Sequence, residues 1–365
     1  EADTPSEEEA AAPSATPPPD EAASGPIPSA GNEGAWVPKD EAERGAVLLA
    51  QSDDGRLRRL NPGDRLGDVG KLIVPPCYRT TIDMPGGILW TTCGPSVLGV
   101  GSPDGTHIAT SLCRSLIQGG PVGNQLRLET PAGNCEITLE DPSSIASVEV
   151  AMRSKKNGSI LDASAYKPVL IVVSAEGEVS IALESGSFSL SSGEGLAMVA
   201  EDRPKEFSLK RIPSWFKSSF GRPIDNIAAQ DMVKLLSGDA SGDTEAQLAS
   251  LTRHPRPYLA ALAVQTSLLA GRWEPFFEPM LVNPRWSSYW EPTISLARQL
   301  IAADADQTGQ VRSLLSARSP NGAELFQMLT GFSESELETG GLSMLVAGLG
   351  ADDLPSRVLS IYQLK

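Results

Sequence analysis

The feature that most constrains this fold is the alternation of polar and apolar residues within Leu57–Val100. In the clearest run, every second residue falls on the same face of a strand, and these residues are Tyr78, Thr80, Ile82 and Met84. Such alternation is typical of a half-buried β-strand. Met84-Pro-Gly-Gly87 then favours a type II turn, because proline fixes φ ahead of a glycine that accepts a positive φ. Ile88–Cys93 returns the chain, so the sequence predicts a β-hairpin.

The same strand-and-turn pattern continues over residues 46–210. A continuous β-branched run, Val169–Val173, is typical of a strand buried on both faces. Other short runs are separated by turn residues, and they are Leu126–Thr130, Cys135–Leu139, Ala146–Val150, Val179–Leu183, Phe188–Leu190 and Leu196–Val199. Many short strands at regular spacing predict an antiparallel all-β sandwich or rolled sheet.

The apolar period changes to three and four residues after Pro223. About eight short helices joined by short turns predict an α-helical bundle or helical-repeat array over residues 223–365, with residues 211–222 as a linker. One predicted apolar stripe near the end comprises Leu342, Leu345 and Leu349. A chain of 365 residues is long for one small core, so we expect two folded domains with separate cores.

Residues 1–45 form the third region, predicted to be a disordered acidic tether rich in Pro and Ala. They carry eleven acidic and two basic residues, a net of −9 out of the chain total of −16. Residues 1–35 hold one large aliphatic residue, Ile27, too little apolar surface to offset the entropy of ordering. Because phosphate backbones require clustered Lys and Arg, the acidic balance argues against nucleic-acid binding.

No apolar run approaches the ~18 residues of a transmembrane helix. Since the sequence begins at Glu1 rather than Met, we expect that an upstream signal peptide or membrane anchor was removed.

Four cysteines, all in the first half, leave two alternatives open: Cys77, Cys93, Cys113 and Cys135. One alternative is four reduced, half-buried thiols. The other is one or two disulfides in an exported domain, whose pairing the sequence does not decide. A zinc site is not expected, because no CxxC pair occurs and His107 and His254 are the only histidines. Both histidines are interpreted as surface residues with no catalytic role.

Three further patterns have both a functional and a structural interpretation. Asp304–Gly309 imitates the start of a calcium-binding loop, but Leu315 stands where the bidentate carboxylate is required, so helix capping is preferred. Gln118–Gly123 is glycine-rich, and a β-turn is preferred over a phosphate site. The densest aromatic group is either a helical-domain core, which is preferred, or a partner-binding surface formed by Trp273, Phe277, Trp286, Tyr289 and Trp290.

The β region resembles the extracytoplasmic domain of FecR-type transmembrane regulators. The resemblance lies in a succession of motifs: Leu60–Asp64, the Pro-Gly-Gly hairpin ending at Gly94-Pro-Ser96, Leu126–Gly133, Glu178–Leu183 and Leu190–Gly195. The helical region resembles a HEAT-type array at Leu251–Leu269 and Asp353–Leu364. Together the two regions resemble envelope proteins of planctomycete-type bacteria. The FecR resemblance implies a non-enzymatic periplasmic domain, anchored to the inner membrane, that relays a signal to a sigma factor.

The leading hypothesis is therefore a membrane-anchored, extracytoplasmic module that binds a protein partner in signalling. It requires no cofactor, and its contact with the membrane is confined to the removed N-terminal anchor. The alternatives are a structural or scaffold protein of the cell envelope and a β domain that binds a ligand such as a carbohydrate. An enzyme is not favoured, because no nucleophile elbow, HExxH helix or phosphate-binding loop is present.

Overall fold

A computed structural model describes most of the chain beyond residue 33. The described residues are 34–40, 43, 45–66, 69–84, 87–100, 107–119, 124–154, 166–200, 202–210, 213–216, 222–236 and 243–365. Residues 1–33 of the tether predicted over residues 1–45, and most of the glycine-rich segment 118–123, lie outside the described residues.

The first half is a large β-sheet followed by a helical region, which confirms the predicted fold class. The sheet is not a closed barrel. Its strands are β1 Ala35–Trp36, β2 Leu49–Gln51, β3 Leu57–Arg59, β4 Lys71–Val74, β5 Arg79–Asp83, β6 Leu89–Val100, β7 His107–Gln118, β8 Asn124–Thr130, β9 Gly133–Leu139, β10 Ile145–Ser154, β11 Tyr166–Glu176, β12 Val179–Leu183, β13 Gly186–Leu190, β14 Glu194–Val199 and β15 Lys205–Ser208.

The sheet branches at the long strand β7. One edge of β7 pairs antiparallel with β6, whereas the other edge pairs first with β8 and then with β10. β5 and β4 lie end to end along the other edge of β6, where β5 pairs with residues 89–93 and β4 with residues 96–99. The main path through the sheet therefore has the order β13-β12-β9-β8-β7-β10-β11-β14-β15, and the strands before β7 join it through the β6–β7 pairing. The β7–β8 pairing is parallel over three residues, an exception to the predicted antiparallel pattern.

The predicted hairpin is the pair β5–β6, with Asp83 opposite Leu89. The Gly87 N–H donates to the Met84 carbonyl at 3.1 Å, as expected of a tight turn, and Gly87 has φ 80°. However, β5 is more buried than its alternation predicted, because Thr81 on the second face is also fully buried and bonds to Thr91 at 2.9 Å. Because the two hydroxyl groups form a hydrogen bond with each other, these polar side chains can be buried at little cost.

The folded region begins before the predicted boundary at residue 46. Trp36 in β1 is fully buried and lies opposite Ile82 of β5. Glu43 is also buried, and its Oε1 lies 3.3 Å from Nε of Arg79 in an ion pair. The sequence missed this arm because only two of its residues form a strand, too few for a periodic signal.

Within the described residues, the helical region contains eight helices of eight residues or more, linked by shorter helical segments and turns. They are α1 Pro223–Leu236, α2 Thr244–Leu251, α3 Pro257–Leu269, α4 Ser287–Ala303, α5 Ala305–Arg318, α6 Gly322–Thr330, α7 Leu342–Leu349 and α8 Leu354–Leu364. α3 is apolar on nearly every side and occupies the centre, since Leu259, Val264 and Leu268 are fully buried. A helix buried all round is typical of a domain core.

The sheet and the helices share one contiguous hydrophobic core, where separate cores were expected. α4 packs on β7, β10 and β11, and α3 contacts β4 and β6. Buried hydrogen bonds cross the junction, including one from the Tyr78 hydroxyl to the Ala229 carbonyl at 2.7 Å. The domain boundaries inferred from composition stay predictions.

Candidate functional site

A cleft with a volume of about 910 Å³ lies between the sheet and the helices. Its sheet wall comprises the β2–β3 turn, the start of β4, the C-terminal end of β6, the N-terminal end of β7, and the β8–β9 turn. Its helix wall comprises the C-terminal ends of α3 and α4 and the first two turns of α5. A cavity between packed layers is where proteins most often place a ligand.

Small residues open the floor of this cleft. Gly99 of β6 lies opposite Ala109 of β7, and a Cβ on Gly99 would meet the Ala109 Cβ at 3.4 Å. At the β4 end, a Cβ on Gly70 would lie 2.6 Å from Oδ1 of Asp53. A side chain at Gly70 would therefore displace Asp53, so this glycine keeps that carboxylate at the cleft wall.

One end of the cleft is closed by hydrogen bonds from the β2–β3 turn to the end of α3. The Gln51 Nε2 donates to the Ala270 carbonyl at 3.1 Å. The Arg272 Nη2 donates to the Gly55 carbonyl at 3.0 Å and also lies 2.8 Å from Oε1 of Glu245. Gly55 has φ 82°, a conformation that favours glycine and that directs its carbonyl towards Arg272. These contacts fix the two walls relative to each other.

The opposite end is formed by the N-terminus of α5. Oδ1 of Asp304 accepts the N–H groups of Asp306 and Gln307, at 2.9 and 3.2 Å, and so caps the helix. The Thr308 hydroxyl donates to the Ile301 carbonyl at 2.8 Å. The preferred interpretation of the Asp304–Gly309 segment as a capped helix junction is thus confirmed.

The cleft lining is acidic and polar. Asp53, Glu129, Asp304 and Asp306 oppose Lys71 and Arg272, a net of −2 among the charged lining residues. Arg272 is engaged by Glu245, so the positive charge facing the cleft is weakened further. Oε1 of Gln307 is buried and, among the described residues, has no hydrogen-bond partner. None of the described residues that line the cleft is aromatic.

The two histidines have ordinary partners. Nε2 of His107 lies 3.2 Å from Oε2 of Glu129 at the edge of the cleft, and both side chains are exposed to solvent. Nδ1 of His254 accepts the Arg256 N–H at 3.2 Å, in the turn before α3. The described residues bring no third His, Cys, Asp or Glu to either one in a metal-binding arrangement.

All four cysteines are free thiols in this structure. Cys93, Cys113 and Cys135 are buried, while Cys77 is half-buried in the β4–β5 turn with φ 70°. Burial raises the pKa of Cys77 and Cys135 to about 12, and that of Cys93 and Cys113 to about 11. Thiols of this kind are poor nucleophiles near neutral pH. The arrangement corresponds to the first alternative from the sequence, and a bridge among them stays a prediction.

The aromatic group belongs to the core rather than to a surface. Trp273, Phe277 and Trp286 are buried, and Phe277 packs edge-on against Phe276 with ring centres 4.9 Å apart. Tyr289 and Trp290 are half-buried, and the Trp290 Nε1 donates to the Met280 carbonyl at 2.8 Å. The three buried rings fill space beside α3, and a partner-binding role for this group stays a prediction.

The cleft as a whole was not identified from the sequence, because seven separated segments assemble it. Two local signals were present: the acidic segment Asp304–Gly309, and the glycines at 70 and 99, since glycine within a strand pattern often marks a close approach of backbone or ligand.

Across the residues that the structure describes, no helix is both long and apolar enough to cross a membrane.

Comparisons with known proteins identify no family for this chain. No family model matches it, and no curated protein matches it. Two crystal structures of a candidate anti-sigma factor from Parabacteroides distasonis are similar to part of it. One has 10% identity and a TM-score of 0.30 and covers 44% of this chain and 74% of its own. The other has 11% identity and a TM-score of 0.29 and covers 50% and 89%. Scores this low support no shared function.

Proposed function

We propose that this protein is a non-enzymatic binding module in signalling, and that its cleft receives an extended, basic segment of a partner protein. The observation that carries the proposal is the acidic, polar cleft of about 910 Å³ built jointly by sheet and helices. Its volume is near the upper end of the range for ligand sites, which fits several residues of an extended chain.

Charge and shape favour a basic polypeptide over a sugar. Carboxylates and amides line the walls, and charge-assisted hydrogen bonds to Lys or Arg are stronger than neutral ones. The chain total of −16 would also steer a cationic partner towards it. A carbohydrate site commonly offers an aromatic ring for stacking, and the described lining residues offer none.

The proposed location is extracytoplasmic, with a membrane anchor preceding Glu1. The support for this part is the FecR-type motif succession along the β region. Protease accessibility of the native, full-length protein in spheroplasts tests it, with digestion from outside expected. Full protection until the membrane is lysed would place the protein in the cytoplasm and contradict this part alone.

The binding part is tested with an array of extended peptides of varied charge, probed with the full chain. We expect capture of Lys- and Arg-rich peptides. Glu129→Lys with Asp306→Lys should weaken that capture by at least about tenfold, because like charges brought together at a site cost more than the 1.4 kcal/mol that tenfold represents. Both residues are exposed, so the fold should tolerate the changes.

A matched control carries the same change in net charge elsewhere. Asp202→Lys with Glu206→Lys alters two exposed acids at the β15 end of the sheet, outside the cleft lining. This variant should bind within about threefold of wild type, since long-range steering alone is screened beyond roughly 8–10 Å at physiological salt. Equal losses in both double variants, or no preference for basic peptides, would refute binding in the cleft.

A further inference from the structure

The last two helices present an exposed apolar surface on the side away from the core. We define the C-terminal face as five large side chains that are 40–57% exposed: Leu342, Val346 and Leu349 on α7, with Ile361 and Leu364 on α8. Isolated exposed apolar residues are normal, but a contiguous set on adjacent helices marks an interaction surface. α7 and α8 contact each other, so the five side chains lie on two adjacent helices.

The spacing on α7 is that of a helix-pairing seam. Leu342, Val346 and Leu349 are four and three residues apart, as are the seam positions of a coiled coil, with Leu flanking a β-branched residue. Leu345, assigned from the sequence to the same stripe, instead points inward and is fully buried. The outward stripe thus exists in addition to the residues that hold α7 on the core.

Close packing holds α7 firmly against α8. A Cβ on Gly348 would lie 2.1 Å from Oγ of Ser360, so the two helices approach too closely for any side chain there. The Ser360 hydroxyl bonds to the Met328 sulfur at 3.5 Å, and the Gln363 Nε2 donates to the Met328 carbonyl at 2.6 Å. The C-terminal face is therefore a preformed surface, which lowers the entropy lost on association.

Charge and composition indicate which partner can cover the C-terminal face. Residues 340–351 contain no charged side chain, so two copies of α7 meet without like-charge contact at the centre. Residues 1–33 of this chain contain one large aliphatic residue, Ile27, and so offer too little apolar surface to cover five. An uncharged, apolar patch is complementary to itself, which is the requirement of a two-fold interface.

We propose that the C-terminal face pairs with the same face of a second copy, α7 antiparallel to its counterpart, with Val346 near the two-fold axis. The face covers on the order of 500 Å² per copy, below the ~800 Å² of a standard interface, so the dimer is weak. Repulsion between two chains of charge −16 opposes it, and added salt should strengthen it.

Sedimentation of the full chain over a range of concentrations tests the proposal. Wild type should shift from monomer towards dimer at roughly 10–100 µM, as expected for an interface of this size, and at lower concentration in higher salt. Val346→Lys should remain monomeric throughout. Val282→Lys is the matched control, since Val282 is 50% exposed but lies outside the C-terminal face, and it should dimerise as wild type does.

Cross-linking tests the geometry independently of affinity. Val346→Cys, oxidised with copper phenanthroline, should give a covalent dimer, because the two-fold axis brings the two introduced thiols together. Val282→Cys and wild type should give only background, since the native cysteines are buried or half-buried. A monomeric wild type at the highest concentration, a dimer that survives Val346→Lys, or equal cross-linking at 282 and 346 would each overturn the proposal.

Discussion

The substitution Trp273→Ala tests whether the sheet and the helices unfold as one unit. Trp273 is 2% exposed and lies in the core that runs from the helices into the sheet. Its removal leaves a large cavity, and truncation of a buried aromatic residue typically costs 3–5 kcal/mol. The indole Nε1 has no hydrogen-bond partner among the described residues, so the loss is one of packing.

The assay is urea unfolding followed by far-UV circular dichroism, which reports helix and strand, together with tryptophan fluorescence. With an m-value of about 3 kcal/mol/M, the upper end for small proteins, a loss of 3–5 kcal/mol lowers the midpoint by about 1–2 M. Because the core is continuous, the strand and helix signals should shift together. Val282→Ala is the control, and as an exposed position it should change stability by less than about 0.5 kcal/mol.

Two outcomes would refute this reasoning. A helix transition that moves while the strand transition stays would show two independent domains, as the length of the chain predicted. A midpoint shift well below 1 M would show that the neighbouring side chains collapse into the space and that Trp273 is not a core residue.

Three further predictions concern the junction, the thiols and the N-terminal boundary. Tyr78→Phe should lose about 1 kcal/mol in the same urea assay, because it removes the 2.7 Å hydrogen bond to Ala229; no change would mean that the bond is not formed in solution. Burial raises the pKa of Cys135 from 9.0 to about 12. The protonated thiol therefore contributes fully to the free energy of unfolding below pH 9, and this contribution is lost as the pH rises towards 12. From pH 8 to 10 wild type should therefore lose about 1.4 kcal/mol more than Cys135→Ala, and equal losses would contradict the buried thiol. Limited proteolysis should leave a core starting near Gly34, and a core starting near Ala46 would show that β1 detaches readily.

Local sequence patterns predicted much of the sheet. The alternating runs at Leu126–Thr130 and Cys135–Leu139 became β8 and β9, since side chains of period two match a surface with one buried face. The β-branched run at Val169–Val173 lies within β11, which is flanked by two strands and packs against α4. These strands were predictable because the local order of polar and apolar residues along each strand indicates which side chains are buried.

Features that depend on long-range contacts were not predictable. The parallel pairing of β7 with β8 depends on where the chain returns, which periodicity does not encode. The inward direction of Leu345 and the outward direction of Val346 follow from how α7 docks on α8. The candidate cleft combines Gly70 and Gly99 of the sheet with the first turns of α5, which are far apart in the sequence, so no single segment contains its signal.

The most direct test of the central claim is hydrogen–deuterium exchange of the full chain, with and without a basic peptide captured from the array. Binding in the cleft predicts slower exchange in β7 at residues 109–111 and in the first turns of α5 at residues 305–310, which lie on opposite walls. Exchange at the sheet-edge strand β13 should not change. Protection confined to β13 or to the C-terminal face, with both cleft walls unaffected, would contradict the claim.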